Sequence, residues 1–471
     1  VNKKLIYPLF IPLILIGIFI LYIRFEYIGK YFIPFIISII NTIFIFFYII
    51  YNWDKNKIAI NIFLFYYILT LKFPLIYNCL KYNSIELDSY YGSISDYLTE
   101  VNILIFLFDI LCLIFYSLFK FKNTLKWIYK IKSIGVKPIF VILFIFLISL
   151  ISKLYLIQTE VWFFYEMNDI DYTKIPFVSL AFMLEKLDII IFLYYVFKSK
   201  NRDFSKADII IVFILVFISL FLAIISTSKG RVLTLLFPIF LMGYYSSYKK
   251  IAIIVSLIGL VGINQFFDYM MFLRLNPEIS VIDGFNKYYS TNNSSKKSIK
   301  ENKFISRIEY QSVLAKTLNS YNNDFFIENE KVPFGYLQNI IGVIPRSIWS
   351  DKPILGVDTN LIGREIKILN MSDTYTTIGL TPLGIAYYMY GYIGILFISA
   401  LSGILLKFIN SIIIEEYWLG FLLSFTLGIT VARNGTFVNV IPSLVQMLFV
   451  CILFGILLNK KNEKKYIRRS Y

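Results

Sequence analysis

A chain of 471 residues that is 58% hydrophobic and 19% aromatic holds more apolar surface than a soluble core can bury. It has no histidine, which excludes a histidine base, a Ser-His-Asp triad and any His-ligated metal. Its net charge of +16 has a topological explanation, given below, so nucleic-acid binding is a poor reading of it.

Apolar runs long enough to cross about 30 Å of hydrocarbon recur along the whole chain. They are continuous rather than alternating, which argues for helices and against a β-barrel. The predicted fold is all-α: a polytopic membrane protein with about 12 transmembrane helices. In chain order they fall near 5–23, 31–51, 58–78, 101–119, 138–157, 177–197, 209–226, 232–245, 251–272, 385–408, 417–432 and 438–458. The first run lacks a small-residue cleavage pattern and more spans follow, so it reads as a helix rather than a signal peptide. Cys79, Cys112 and Cys451 sit in or beside spans with no metal spacing and imply no disulfide framework.

The organisation is then threefold. Residues 1–272 carry helices 1–9, 273–376 form one long polar loop, and 377–471 carry helices 10–12 and a basic tail. The stretch from Tyr375 to Phe408 is too long for one span. Its first part, Gly379 to Tyr390, is expected to lie along the interface and roof a lateral opening for lipid.

Orientation follows from Lys and Arg in the short loops. With the N-terminus inside, the inner segments hold 23 Lys and Arg against 6 Asp and Glu. The short outer loops hold 7 basic and 9 acidic residues, among them Glu86, Asp88, Asp96, Glu160, Glu166, Asp169 and Asp171. Both termini are therefore expected inside and the long loop outside.

Some basic residues break this rule. Lys229 and Arg231 lie in the turn Ser226 to Arg231, Arg274 follows the ninth span, and Arg433 lies in the turn between the last two spans. Lys72 and Lys153 sit in the outer thirds of their helices, and the long loop adds Arg346 and Arg364. The ordinary role of any one is to snorkel to lipid phosphates or pair with a nearby carboxylate. As a group at one level, flanked by small and polar residues, they suit an anion with two or more phosphates. Asp109, Glu185, Lys186 and Asp188 are charges within spans: internal ion pairs on one reading, an ion path on the other.

The long loop also contains Ile344-Pro345-Arg346-Ser347-Ile348-Trp349-Ser350-Asp351-Lys352-Pro353. This resembles the Pro-Arg-x-hydrophobic-Trp-x-x-Lys-Pro stretch of bacterial O-antigen polymerases, the oligosaccharide repeat-unit polymerases. Ser228-Lys229-Gly230-Arg231 before the loop and Gly391-Tyr392-Ile393-Gly394 after it agree with that family, and the resemblance covers about 200–460. One departure is Ile385, where the family often has an acidic residue.

The resemblance implies a metal-independent, inverting glycosyltransferase of the bacterial inner membrane, with its long loop in the periplasm. It would join oligosaccharide repeat units carried on undecaprenyl diphosphate. Its partners would be the lipid bilayer, a flippase and a polysaccharide chain-length regulator. Charge develops on the diphosphate as the glycosidic bond breaks, and fixed cations aimed at those oxygens stabilise that state. No cofactor is expected, and arginines would serve in place of Mg²⁺. Arg231, Arg346 and Arg433 are the expected catalytic cations, with Lys229, Arg274, Lys352 and Arg364 binding the substrate and Trp349 stacking on sugar. For the base that assists the attacking hydroxyl, Asp351 comes first, then Asp358 and Glu365, with Asp268 more remote. Two alternatives stand beside this reading: a lipid-linked oligosaccharide flippase or other transporter, and the related O-antigen ligase.

Overall fold

The structure, a computed structural model, describes residues 27–52, 57–121, 138–159, 177–200, 205–225, 310–322, 359–369, 381–412 and 418–433, with a few single positions besides. Among the described residues the fold is helical throughout, with no strand. Five helical segments are long and apolar enough to cross a membrane: Gly29–Ile49, Ile58–Lys81, Ser84–Leu118, Pro138–Gln158 and Pro382–Ser411. The surface agrees with a lipid surround. Phe213 is 71% and Phe140 61% exposed, while Lys72 and Asp109 are fully enclosed. This is the protein of a membrane, built with its large apolar side chains outward.

The predicted spans at 5–23, 232–245, 251–272 and 438–458 lie outside the described residues, as does most of the loop at 273–376. The chain divides into two compact units.

The first unit contains Val1–Thr124, Arg307–Ile414 and Ser424–Met447. Its helices are α1 (Phe32–Asn52), α2 (Ile58–Tyr67), α3 (Phe73–Lys81), α4 (Ser84–Tyr91) and α5 (Leu98–Leu118). The later segments add α10 (Gln311–Asn322), α11 (Thr359–Glu365) and α12 (Pro382–Ile412). A π-helical turn, Ile68–Lys72, joins α2 to α3 in one continuous span. Helix α4 starts on a capping box: Asn83 accepts from the Glu86 amide at 2.9 Å and Glu86 accepts from the Asn83 amide at 3.0 Å. The acidic residues of that turn are engaged locally, since Asp88 accepts from the Tyr31 hydroxyl at 2.8 Å and pairs with Lys30 at 2.9 Å.

Helices α5 and α12 form the backbone of this unit. Tyr392 donates to Glu100, Gly403 meets Cys112, and Asn410 donates to the Tyr116 hydroxyl at 2.8 Å. The numbering rises together, so the two helices run parallel. That is the relation the predicted fourth and tenth spans require. Their axes come close because residue 403 has no side chain: a Cβ there would lie 2.4 Å from the Cys112 carbonyl oxygen. Gly403→Val is therefore expected to prise the helices apart and destabilise the unit by about 1–3 kcal/mol, read by thermal melting in nanodiscs.

Helix α12 is two legs. Gly391 has φ 58° and ψ −139°, a conformation that breaks the helix and that glycine tolerates. The segment expected along the interface thus has, in its described part, a leg of its own that ends at Tyr390. Its Leu383, Ile385 and Tyr387 side chains are buried.

The second unit contains Leu125–Ser306, Glu415–Leu423 and Leu448–Tyr471. It holds α6 (Pro138–Gln158), α7 (Val178–Leu184), α8 (Leu187–Lys200) and α9 (Lys206–Ile225). The sequence predicts one helix over 177–197, and the structure interrupts it at Glu185 and Lys186. The interruption has local support. Ser149 donates from Oγ to the Glu185 carbonyl at 2.8 Å, and Asp188, in the first turn of α8, pairs with Lys153. The next helix starts on Ser205, whose amide donates to the Asp208 carboxylate at 2.8 Å and whose Oγ accepts from the Asp208 amide at 3.2 Å. The last described helix, α13 (Trp418–Arg433), contributes to both units.

Candidate functional site

Most of the residues expected to carry chemistry lie outside the described residues: Lys229, Arg231, Arg274, Arg346, Trp349, Asp351 and Lys352. Asp268 and Asp358 lie outside as well. Arg433 is the last residue of α13, described by its backbone alone. Lys72 and Lys153, two of the cations noted at the outer ends of spans, are each paired internally, with Asp109 at 2.6 Å and with Asp188 respectively. Arg364 and Glu365 are described, and they are neighbours at the end of α11.

That helix is placed by an apolar cluster. Ile362 and Ile366 of α11 pack with Ile385 of α12, and Val313, Ile368, Tyr388 and Met389 close around them. Three elements distant in sequence, α10, α11 and the first leg of α12, therefore meet beside Glu365. The helix ends in a Schellman motif. The Ile368 amide donates to the Gly363 carbonyl at 2.8 Å, and the Lys367 amide donates to the Arg364 carbonyl at 3.1 Å. Lys367 holds the left-handed position, φ 57°, that glycine usually occupies. The hydrophobic contact that accompanies such an ending is Ile368 in the same cluster as Ile362.

Glu365 accepts from the Tyr388 hydroxyl at 2.8 Å. Burial pushes its carboxyl up to about 7. Its position in the last turn of α11 works in the same direction, because the carbonyl end of a helix disfavours negative charge. Arg364 is half-buried. Its Nη1 lies 3.4 Å from the Met371 carbonyl oxygen, and its Nε is enclosed with no hydrogen-bond partner. From α10, Lys316 reaches the Lys367 carbonyl at 3.4 Å, and burial lowers its amine below the usual lysine range. The set is a carboxyl poised near neutrality, a phenol that orients it, and a neighbouring guanidinium. Such a group takes and returns a proton at physiological pH, which is what general acid–base chemistry needs.

Sequence reasoning ranked Glu365 behind Asp351 and missed Tyr388 and Lys316. Tyr388 stands among several tyrosines of Tyr387 to Tyr392, and only its contact with α11 sets it apart. At Ile385 the side chain faces the α11 cluster, 1% exposed. One turn further along α12, Tyr388 holds the Glu365 carboxylate. A carboxylate therefore stands close to the place where the sequence has none. The chain matches no protein-family model, and no curated protein or solved structure matches it.

Proposed function

We propose that the protein polymerises undecaprenyl-diphosphate-linked oligosaccharide repeat units at the periplasmic face of a bacterial inner membrane. The observation that carries this reading is the Glu365 carboxyl, held near neutrality by burial next to Arg364, on a helix of the long loop that packs against α12. Two further features support it: the Pro345 to Pro353 stretch of the same loop, and the parallel run of α5 and α12.

In this reading about twelve helices cross the membrane, both termini are cytoplasmic and the long loop is periplasmic. The acceptor is the terminal sugar of a new repeat unit, and the donor is the growing chain on its lipid diphosphate. Glu365, ionised and oriented by Tyr388, takes the proton of the attacking hydroxyl as the new glycosidic bond forms. The bond to the diphosphate breaks, and the lipid diphosphate leaves with the bonding electrons. Arg364, Arg346, Arg231 and Arg433 oppose the charge that gathers on its oxygens, each such contact accounting for about 10²-fold in rate. Lys229, Arg274 and Lys352 add positive charge around the lipid, and Trp349 offers a face to a sugar ring. Asp351 remains a second carboxylate of the loop, its ordinary partner being Lys352.

Deleting the gene should leave surface glycan with a single repeat unit attached, seen on a gel as loss of the ladder. Loss of all glycan would point instead to a flippase or a ligase. In the intact gene, Arg346→Ala and Arg231→Ala should each abolish chain growth while the protein still inserts and melts as before. Full ladders from both variants would remove the arginine assignment.

A further inference from the structure

The buried polar cluster at the π-turn of the first unit is independent of the site around Glu365. A π-turn adds one residue to a helical turn and so frees a carbonyl and rotates the side chains that follow. Here the freed Thr70 carbonyl accepts from the Tyr310 amide at 3.1 Å, at the start of α10. The rotated side chain is Lys72, fully enclosed, which the turn delivers to Asp109 of α5. Ser38 of α1 donates from Oγ to the Lys72 carbonyl at 3.4 Å.

The ion pair is close but incompletely bonded. Lys72 Nζ lies 2.6 Å from Asp109 Oδ2, a contact that uses one of the three N–H groups of the ammonium. Asn41 Nδ2 of α1 donates to that same Oδ2 at 2.9 Å. Four enclosed groups then have hydrogen-bonding capacity left: the Tyr67 hydroxyl, Asp109 Oδ1 and Asn41 Oδ1, which have no hydrogen-bond partner in the protein, and the Lys72 ammonium, which has N–H groups to spare beyond its pairing with Asp109. Tyr67 stacks its ring at 5.2 Å on Phe108, the residue before Asp109 in α5. Two of the four are donors and two are acceptors.

We propose that Asn41, Tyr67, Lys72 and Asp109 form a binding site for one water molecule inside the membrane-spanning part of this unit. A water has two hydrogens and two lone pairs, the complement of the four atoms. It donates to Asp109 Oδ1 and Asn41 Oδ1 and accepts from Lys72 and Tyr67. A metal cation is disfavoured there by the ammonium and an anion by the carboxylate, so a small neutral molecule fits best. The water links three spans at the level of the π-turn. Because α10 is anchored to that turn through Tyr310, it also steadies the start of a loop helix.

The test is a substitution whose sign changes with the answer. In the full-length protein in nanodiscs, Tyr67→Phe removes one oxygen and nothing else. With the water present it should lower Tm by about 2 °C, because a made hydrogen bond is lost. An unchanged or raised Tm overturns the proposal, since a hydroxyl with no partner is better removed. A Tyr67 hydroxyl turned directly onto Asp109 would also lower Tm, so infrared spectra in H₂¹⁶O and H₂¹⁸O supply the second arm. The wild type should show an isotope-shifted stretch from a confined water that the Lys72→Met/Asp109→Leu double variant lacks. Absence of any such difference between the two proteins overturns the proposal whatever the Tm shows.

Discussion

Asp109→Leu should be the most damaging single substitution in the described part of the protein, costing about 3–5 kcal/mol and sharply lowering the yield of folded protein. Asp109 and Lys72 are each 0% exposed, so the leucine leaves an ammonium enclosed among helices with no counter-charge. The Asn41 amide loses its acceptor at the same time. The damage comes from the orphaned charge more than from any net strength of the pair. The Lys72→Met/Asp109→Leu double variant should therefore recover most of the loss, because removing both charges also removes both desolvation costs. Thermal melting of the wild type, both singles and the double in nanodiscs closes the cycle. A double variant no better than Asp109→Leu alone would mean that the pair is not the reason.

Glu365→Gln should reduce chain growth by about 10²- to 10⁴-fold, the usual share of a general base. It should also remove a limb from the pH profile. In the wild type the base is the ionised carboxylate, so activity should rise as pH passes through about 7. The glutamine variant should show no rise there. The charged and titratable groups at this end of α11 are Tyr388 from α12, which donates to Glu365, Lys316 from α10, which reaches the Lys367 carbonyl, and Arg364 and Lys367 beside it in the chain. Burial lowers the Lys316 amine, so a limb that survives in Glu365→Gln belongs to that amine and one that vanishes belongs to the carboxyl. Stability should move the other way. The folded carboxyl titrates near 7, above its ordinary value, so folding favours its protonated form. That contribution is complete at acid pH and is lost as pH rises through 7. Glu365→Gln, unable to ionise, should then melt higher than the wild type at pH 8. An active variant with an unchanged pH profile would sink the assignment of Glu365 as the base. The arginine reading would survive, because the ladder test of Arg346 and Arg231 does not depend on it.

The membrane character of the chain was legible from the sequence because crossing a bilayer demands a length of apolar helix, and length is a local property. The spans over 31–51, 138–157 and 417–432 correspond to α1, α6 and α13 within two residues. The start of α4 is local too, as Asn83 and Glu86 are close enough in sequence to satisfy each other. The break at Gly391 was foreshadowed by an apolar stretch too long for a single crossing.

Only the tertiary structure decided which charges meet. Lys72 read as a cation at the outer end of a span, available to phosphate, until the π-turn brought it to Asp109. Lys153 read the same way, yet it closes on Asp188 from another helix, 35 residues on. Glu365 looked like one carboxylate among several. Its raised proton affinity comes from burial where α11 packs against α12, and it outweighs the opposite pull of the Tyr388 hydroxyl, which donates to the carboxylate and favours its ionised form. Burial and partners arise when distant segments pack, and the charge state of a carboxyl or an ammonium is set by those two things together.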